Sequence, residues 1–326
     1  MSFVAILIAL LLEQARPIGR GNTVHSGMRA WVSWCGRTFD AGKPYQAGLA
    51  WSAAVLLPSL VVLAVYWALA NLTDWPLAVL WNIAVLYQCL GFRQFSHHFT
   101  GIRDALEAGD ESLARQRLAH WRQGDVNDLP RSEIVRHVVE HSVIAAHRHV
   151  FGTLAWFSVL AAFGLGPVGA VVYRLAEFVP RYWAREKSTR IRPVSEAAQQ
   201  AANNLWHLLD WLPARITAVG FAVTGSFEDA IDNWRHYERR ARVTNDGVIL
   251  ASTAGAINLR LGDVSDSAVA SVLGGSDASA TIGAPPLNAG MEPEIGHLRI
   301  VVGLVWRTVV MWMVLLALLS LARLLG

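Results

Sequence analysis

Long apolar runs alternate with basic, polar stretches along this chain. Ala47 to Leu72, Trp75 to Phe92 and Ile300 to Leu325 are the clearest runs, each near the length of about 20 residues that a helix needs to cross the hydrocarbon layer. The first two are separated by Asn71-Leu72-Thr73-Asp74 and pair as a hairpin. Phe3 to Leu12 is shorter, and it has neither a basic leader nor a small-residue cleavage site. It reads as a retained anchor or buried helix. Val150 to Val172 is also apolar but is interrupted at Gly164-Leu165-Gly166-Pro167. Ile102 to His149 has the spacing of amphipathic helices with turns at Gly109-Asp110 and Gly124-Asp125. Ser226 to Arg242 predicts a further helix, and Ser265 to Pro293, rich in Gly, Ser, Ala, Asp and Pro, predicts a flexible loop.

Charge sets the orientation. Arg16, Arg20, Arg29, Arg37 and Lys43 precede the first hairpin, whose turn carries no Lys or Arg. The positive-inside rule therefore puts the N-terminal loop and the segment after Phe92 in the cytoplasm. Arginines crowd both sides of Val150 to Val172, so both flanks belong on the same side. That pattern predicts two short helices that enter and return around Gly164–Pro167, with irregular backbone covered by protein. The alternative is one kinked span that violates the charge rule. Arg307 lies near enough to the start of the last run to snorkel.

Composition agrees with a membrane protein: 53% of residues are hydrophobic and 14 are tryptophan, while the formal net charge is only +3. The basic residues fit cytoplasmic loops better than a nucleic-acid surface. Two cysteines, Cys35 and Cys89, provide no disulfide framework and no cysteine-based zinc site.

Two stretches carry candidate chemistry. His137-Val138-Val139-Glu140-His141 matches the H-x-x-E-H arrangement, in which two histidines one turn apart hold zinc and the glutamate acts as base. At about 100° per residue, Glu133, His137, Glu140, His141, His147 and Arg148 share a broad face. A solvated polar face explains the same pattern without a metal. The second stretch, Leu208-Leu209-Asp210-Trp211-Leu212-Pro213-Ala214-Arg215, sets charges in an apolar run. Pro213 predicts a break or kink at Leu212, with Arg215 in the first turn of a new helix and Trp211 within cation-π reach. Either an anion site at that helix start or an ion pair that fixes the break accounts for it.

Several segments together resemble the CobD/CbiB membrane proteins of cobalamin biosynthesis and their relative AmpE. They are Ala9-Leu10-Leu11-Leu12-Glu13, Ala105 to Asp110, Gly166 to Ala170 leading to Tyr173-Arg174, Asp210 to Arg215, and Ala254-Gly255-Ala256 with Arg260-Leu261-Gly262. The resemblance implies a polytopic inner-membrane protein. For the cobalamin branch it implies ATP- and magnesium-dependent joining of adenosylcobyric acid to an aminopropanol derivative, giving adenosylcobinamide or its phosphate. Glu140 meets the first glutamate of that branch's acidic pattern, but Ile144, Ala145 and Arg148 stand at its later polar positions. Glu177 and Pro180 replace an asparagine and an aspartate, and Asp210 replaces an asparagine.

These readings define an all-α polytopic membrane protein with broken or re-entrant helices and a cytoplasmic helical insert. The expected parts are N-terminal membrane helices at 1–92, the insert at 93–149, a broken core at 150–225, a cytoplasmic helix and loop at 226–298, and a C-terminal span at 299–326. The missing acids lead to the expectation of an accessory or signalling protein in the bacterial inner membrane, with its main loops cytoplasmic. Such a protein would bind a small anion or a corrinoid through Arg174, Arg215, Trp211, His137 and His141. The alternative is the amide ligase, with Glu140, Glu177 and Asp210 as relocated catalytic acids and magnesium and ATP as cofactors. His137, Glu140 and His141 are the weaker metal candidates, nucleic acid is not expected as a partner, and a homo-oligomer stays open.

Overall fold

The computed structural model describes residues 2–15, 23–40, 42–72, 75–122, 129–189, 194–239, 243–262 and 290–325. The helices are α1 (Ser2–Ala15), α2 (Thr23–Phe39), α3 (Pro44–Leu72), α4 (Trp75–Cys89), α5 (Phe92–Glu107), α6 (Glu111–Arg122) and α7 (Arg131–Ala146). They continue as α8 (Gly152–Ala162), α9 (Val168–Thr189), α10 (Glu196–Thr224), α11 (Phe227–Glu238), α12 (Asn245–Ala256) and α13 (Ile295–Leu325). A π turn, His147–Phe151, joins α7 to α8. Among the described residues β structure is confined to isolated bridge positions, with Leu259 bridged to Met291. Residues 265–289 of the flexible loop expected from Ser265 to Pro293 lie outside the described residues.

The chain is an all-helical polytopic membrane protein. Tyr45–Leu72, Arg131–Ala162 and Ile295–Ala322 are long and apolar enough to cross a bilayer, while Phe3–Ala15 and Pro76–Cys89 are shorter apolar helices. The three long helices are not alike. Only 17% of the most apolar stretch of Tyr45–Leu72 is buried, against 61% for Arg131–Ala162. The first shows Leu56, Leu57, Leu60 and Val61 to its surroundings, as a lipid-facing helix must; the second is an interior rod. The solvated face expected on α7 is corrected by this burial, since every residue from Ile134 to Glu140 is buried.

The chain forms two compact units. Unit 1 comprises residues 1–91, 148–213 and 317–326; unit 2 comprises 92–147 and 214–316. In unit 1, α3 packs against α2, α4 and α9, and α8 against α9. Its core gathers Val32, Cys35, Trp51, Val55, Leu175, Val179 and Trp183, and the Trp183 indole donates to the Val32 carbonyl at 3.2 Å. Burial pushes the Cys35 thiol up to about 11, so it is protonated at neutral pH. Ser195 caps α10 by accepting from the Ala198 amide at 3.1 Å, and its own hydroxyl donates to Asp40 at 2.7 Å.

The interruption at Gly164–Pro167 makes a helical hairpin of α8 and α9 rather than one kinked span, although α9 is 22 residues long and not the short helix expected. Leu165 N–H reaches the Leu160 carbonyl and Gly164 N–H reaches that of Ala161, which closes the end of α8 with Gly164 at a positive φ of 76°. The Trp67 indole donates to the Gly164 carbonyl at 3.4 Å. A Cβ at Gly169 would run into the Trp156 carbonyl, so α8 and α9 touch backbone to backbone.

Pro213 does not break its helix. α10 runs unbroken from Glu196 to Thr224 with Pro213 inside, and the expected break at Leu212, with a helix start at Arg215, is corrected. Proline deprives the carbonyl four residues earlier of its donor. That carbonyl belongs to Leu209, and it accepts the Trp156 indole N–H at 3.0 Å, a replacement from 53 positions away that local sequence does not announce.

In unit 2, α11 and α12 form a close pair, and α7 packs against α5, α6 and α12. Gly255 is required there, because a Cβ would strike the Asp229 carbonyl. The two strands of chain around the bridge are tied by Arg260 N–H to Met291 O at 2.8 Å and Met291 N–H to Asn258 O at 3.0 Å.

Candidate functional site

Buried charge collects in one cluster in each unit. In unit 1, α9 carries Arg174, Glu177 and Arg181 on one face through their i, i+3 and i+4 spacing. The Glu177 carboxylate, with its side chain 1% exposed, pairs with Arg174 at 2.9 Å and also with Arg181. Arg174 also donates to the Arg148 carbonyl at 3.4 Å. One residue before Arg174, the buried Tyr173 hydroxyl donates to Asp210 Oδ1 at 2.8 Å. Gly152 makes room for this pair, since a Cβ there would overlap the Tyr173 hydroxyl.

In unit 2 the cluster lies on α7. Glu140 Oε1 accepts the Gly262 amide at 2.8 Å, and its Oε2 lies 3.2 Å from His137 Nδ1. Arg136 lies 3.9 Å from Glu140 and pairs closely with Glu133. Gly262 fits because a Cβ would meet the Arg136 guanidinium. His141 turns instead to Trp121, with ring centres 4.4 Å apart. His147 Nδ1 is 2.9 Å from the Thr217 hydroxyl.

The sequence candidates therefore divide. Arg174 and Glu177 are brought together directly. Asp210 and Arg215, neighbours in the motif, bind different groups: Asp210 takes the Tyr173 hydroxyl, while Arg215 donates to Asn245 at 3.2 Å and lies 3.8 Å from Glu238. With Arg215 in mid-helix, the helix-start anion site has lost its basis. Trp211 is about half exposed. Tyr173, Arg136, Trp156 and Gly262 were not among the sequence candidates. The i+4 spacing of Arg136 and Glu140 was the one available signal for that pair; the others depend on packing.

Magnesium needs unencumbered oxygen donors in near-octahedral array. Among the described residues no three His, Cys, Asp or Glu side chains gather as a metal-binding group. Glu177 sits between two guanidiniums, and Glu140 is tied to a backbone amide and a histidine. These residues do not fit a preformed magnesium site, and the H-x-x-E-H histidines do not act as a pair.

Fold and clusters define a class: a helical membrane protein whose interior carries bonded acids and arginines. The sequence matches the profile of the CobD/Cbib protein family over residues 3–269, and the chain belongs to that family. The cobalamin biosynthesis protein CobD of Stutzerimonas stutzeri is 30% identical over 267 residues, 82% of this chain and 80% of that protein. CobD of Chromobacterium violaceum is 33% identical over 199 residues, 60% of this chain and 59% of that protein. A CobD from Leptospira interrogans is 28% identical over 224 residues, or 67% of this chain and 68% of the relative. No solved structure matches.

Proposed function

We propose that this protein works in cobalamin biosynthesis as a membrane-bound amide synthase that joins adenosylcobyric acid to an aminopropanol derivative, yielding adenosylcobinamide or its phosphate. The observation that carries this reading is family membership, with a relative named for cobalamin biosynthesis aligned along most of both chains. It displaces the accessory role as first choice. Among the described residues the acids form no resident metal site, so a metal would have to arrive largely on substrate phosphates. The arginine-rich loops support placement in the cytoplasmic membrane with the main loops inside.

Complementation tests this reading. A strain lacking its own synthase should form cobinamide when it carries this gene. Absence of product, with the protein present in the membrane at normal level, would overturn the reading.

A second reading, a corrinoid-binding accessory protein without turnover, draws on one observation: Glu140, Glu177 and Asp210 are each already bonded within the protein. It predicts that purified protein shifts the visible spectrum of cobyric acid yet hydrolyses no ATP with both substrates present. Substrate-stimulated ATP turnover would remove it.

A further inference from the structure

Two hydrogen bonds reach adjacent residues of α10 from two different helices. From α8, Trp156 donates to the Leu209 carbonyl at 3.0 Å. From α9, Tyr173 donates to the Asp210 carboxylate at 2.8 Å. The first exists because Pro213 supplies no N–H to Leu209; in an uninterrupted helix that carbonyl would be occupied. The second needs Tyr173 held hard against α8, where only glycine at 152 admits its hydroxyl. Both bonds therefore depend on where α8 sits. Trp156 also lies at a close α8–α9 contact, its own carbonyl against Gly169, so fixing Trp156 fixes both helices relative to α10 at Asp210.

We infer that Trp156 is a positioning residue for Asp210, acting through the carbonyl that Pro213 leaves open. The proline of the Asp210-to-Arg215 motif creates an acceptor, the indole docks on it, and the docked hairpin presents Tyr173 to Asp210. Tyr173 is 0% exposed and Asp210 1%, so water does not substitute readily for either bond. The pairing of proline and indole is specific in chemistry. Phenylalanine keeps the ring's bulk without the N–H, and alanine at 213 gives Leu209 a helical donor of its own.

Trp156→Phe should lower the melting temperature of the detergent-solubilised protein, and the drop should shrink when Pro213→Ala is present, because Leu209 is then satisfied within α10. Equal drops in the two backgrounds would overturn the role given to Pro213. The decisive readout is the coupling between Tyr173 and Asp210, taken from a double-mutant cycle with Tyr173→Phe and Asp210→Asn. That coupling should be present in the natural protein and lost in Trp156→Phe/Pro213→Ala, although the latter folds normally. Undiminished coupling there would sink the positioning claim. Neither measurement needs turnover, so both stand if the synthase reading fails. If the natural gene complements, the double variant should also lose cobinamide production at normal protein level, and full production would count against the inference.

Discussion

Glu177 and Glu140 are both buried acids beside arginines on a helix, but they are held by different kinds of partner. Glu177 is gripped by Arg174 and Arg181 of its own helix, three residues before it and four after. Glu140 has comparable neighbours on α7, and it also takes the Gly262 amide from 122 positions along the chain. A local cluster charges one helix face and can re-form wherever that helix goes. The long-range bond makes a carboxylate part of the tertiary frame of unit 2. The arginines of the first cluster are also wetter, with side chains 19% and 40% exposed against 10% for Arg136. When the acid is lost in unit 1, water can reach the guanidiniums; in unit 2 Arg136 keeps Glu133, but the Gly262 amide loses its acceptor.

This contrast orders four substitutions. Glu140→Ala should be the most damaging, since it leaves the buried Gly262 N–H without an acceptor and takes from the nearly buried Arg136 the more buried of its two carboxylate neighbours, Glu133 remaining. A loss of about 3 kcal/mol is expected, read as a lowered unfolding midpoint together with faster amide exchange at Gly262. Glu177→Ala should cost about 2 kcal/mol after allowance for the water that reaches Arg181; a loss equal to that of Glu140→Ala would erase the distinction. Glu140→Gln retains an acceptor for Gly262 and gives up only the charge. About 1–2 kcal/mol is expected, with exchange at Gly262 close to normal, and fast exchange there would show that the negative charge is what holds the amide. Arg181→Gln should be mildest, under about 1 kcal/mol, with a midpoint close to that of the natural protein.

The same contrast explains what the sequence allowed one to read. Apolar runs located α3, α4 and α13 to within a few residues, because lipid-facing helices must be continuously apolar. The Gly164–Pro167 turn was legible for a similar reason: glycine with positive φ and a following proline close one helix and begin another. The partnership of Arg174 with Glu177 follows from helical periodicity. Pro213 misled, because its cost is offset by an indole distant in sequence. The last two positions of the face projected from Glu133 to Arg148 fall in the π turn at His147–Phe151, which the sequence did not announce. Glu140 stood out as a candidate acid, but its bond to the Gly262 amide was not legible, because the two are 122 positions apart.

The bridge between Leu259 and Met291 has a practical corollary. The chain that departs after Gly262 and returns at Gly290 is clasped at its base by bonds on both sides of Met291. The closure entropy of a connection whose ends are held together rises slowly with its length, by about 0.6 kcal/mol per doubling. An epitope or affinity tag spliced between residues 263 and 289 would then ride on an unchanged frame, a handle for recovering the protein intact from the bilayer.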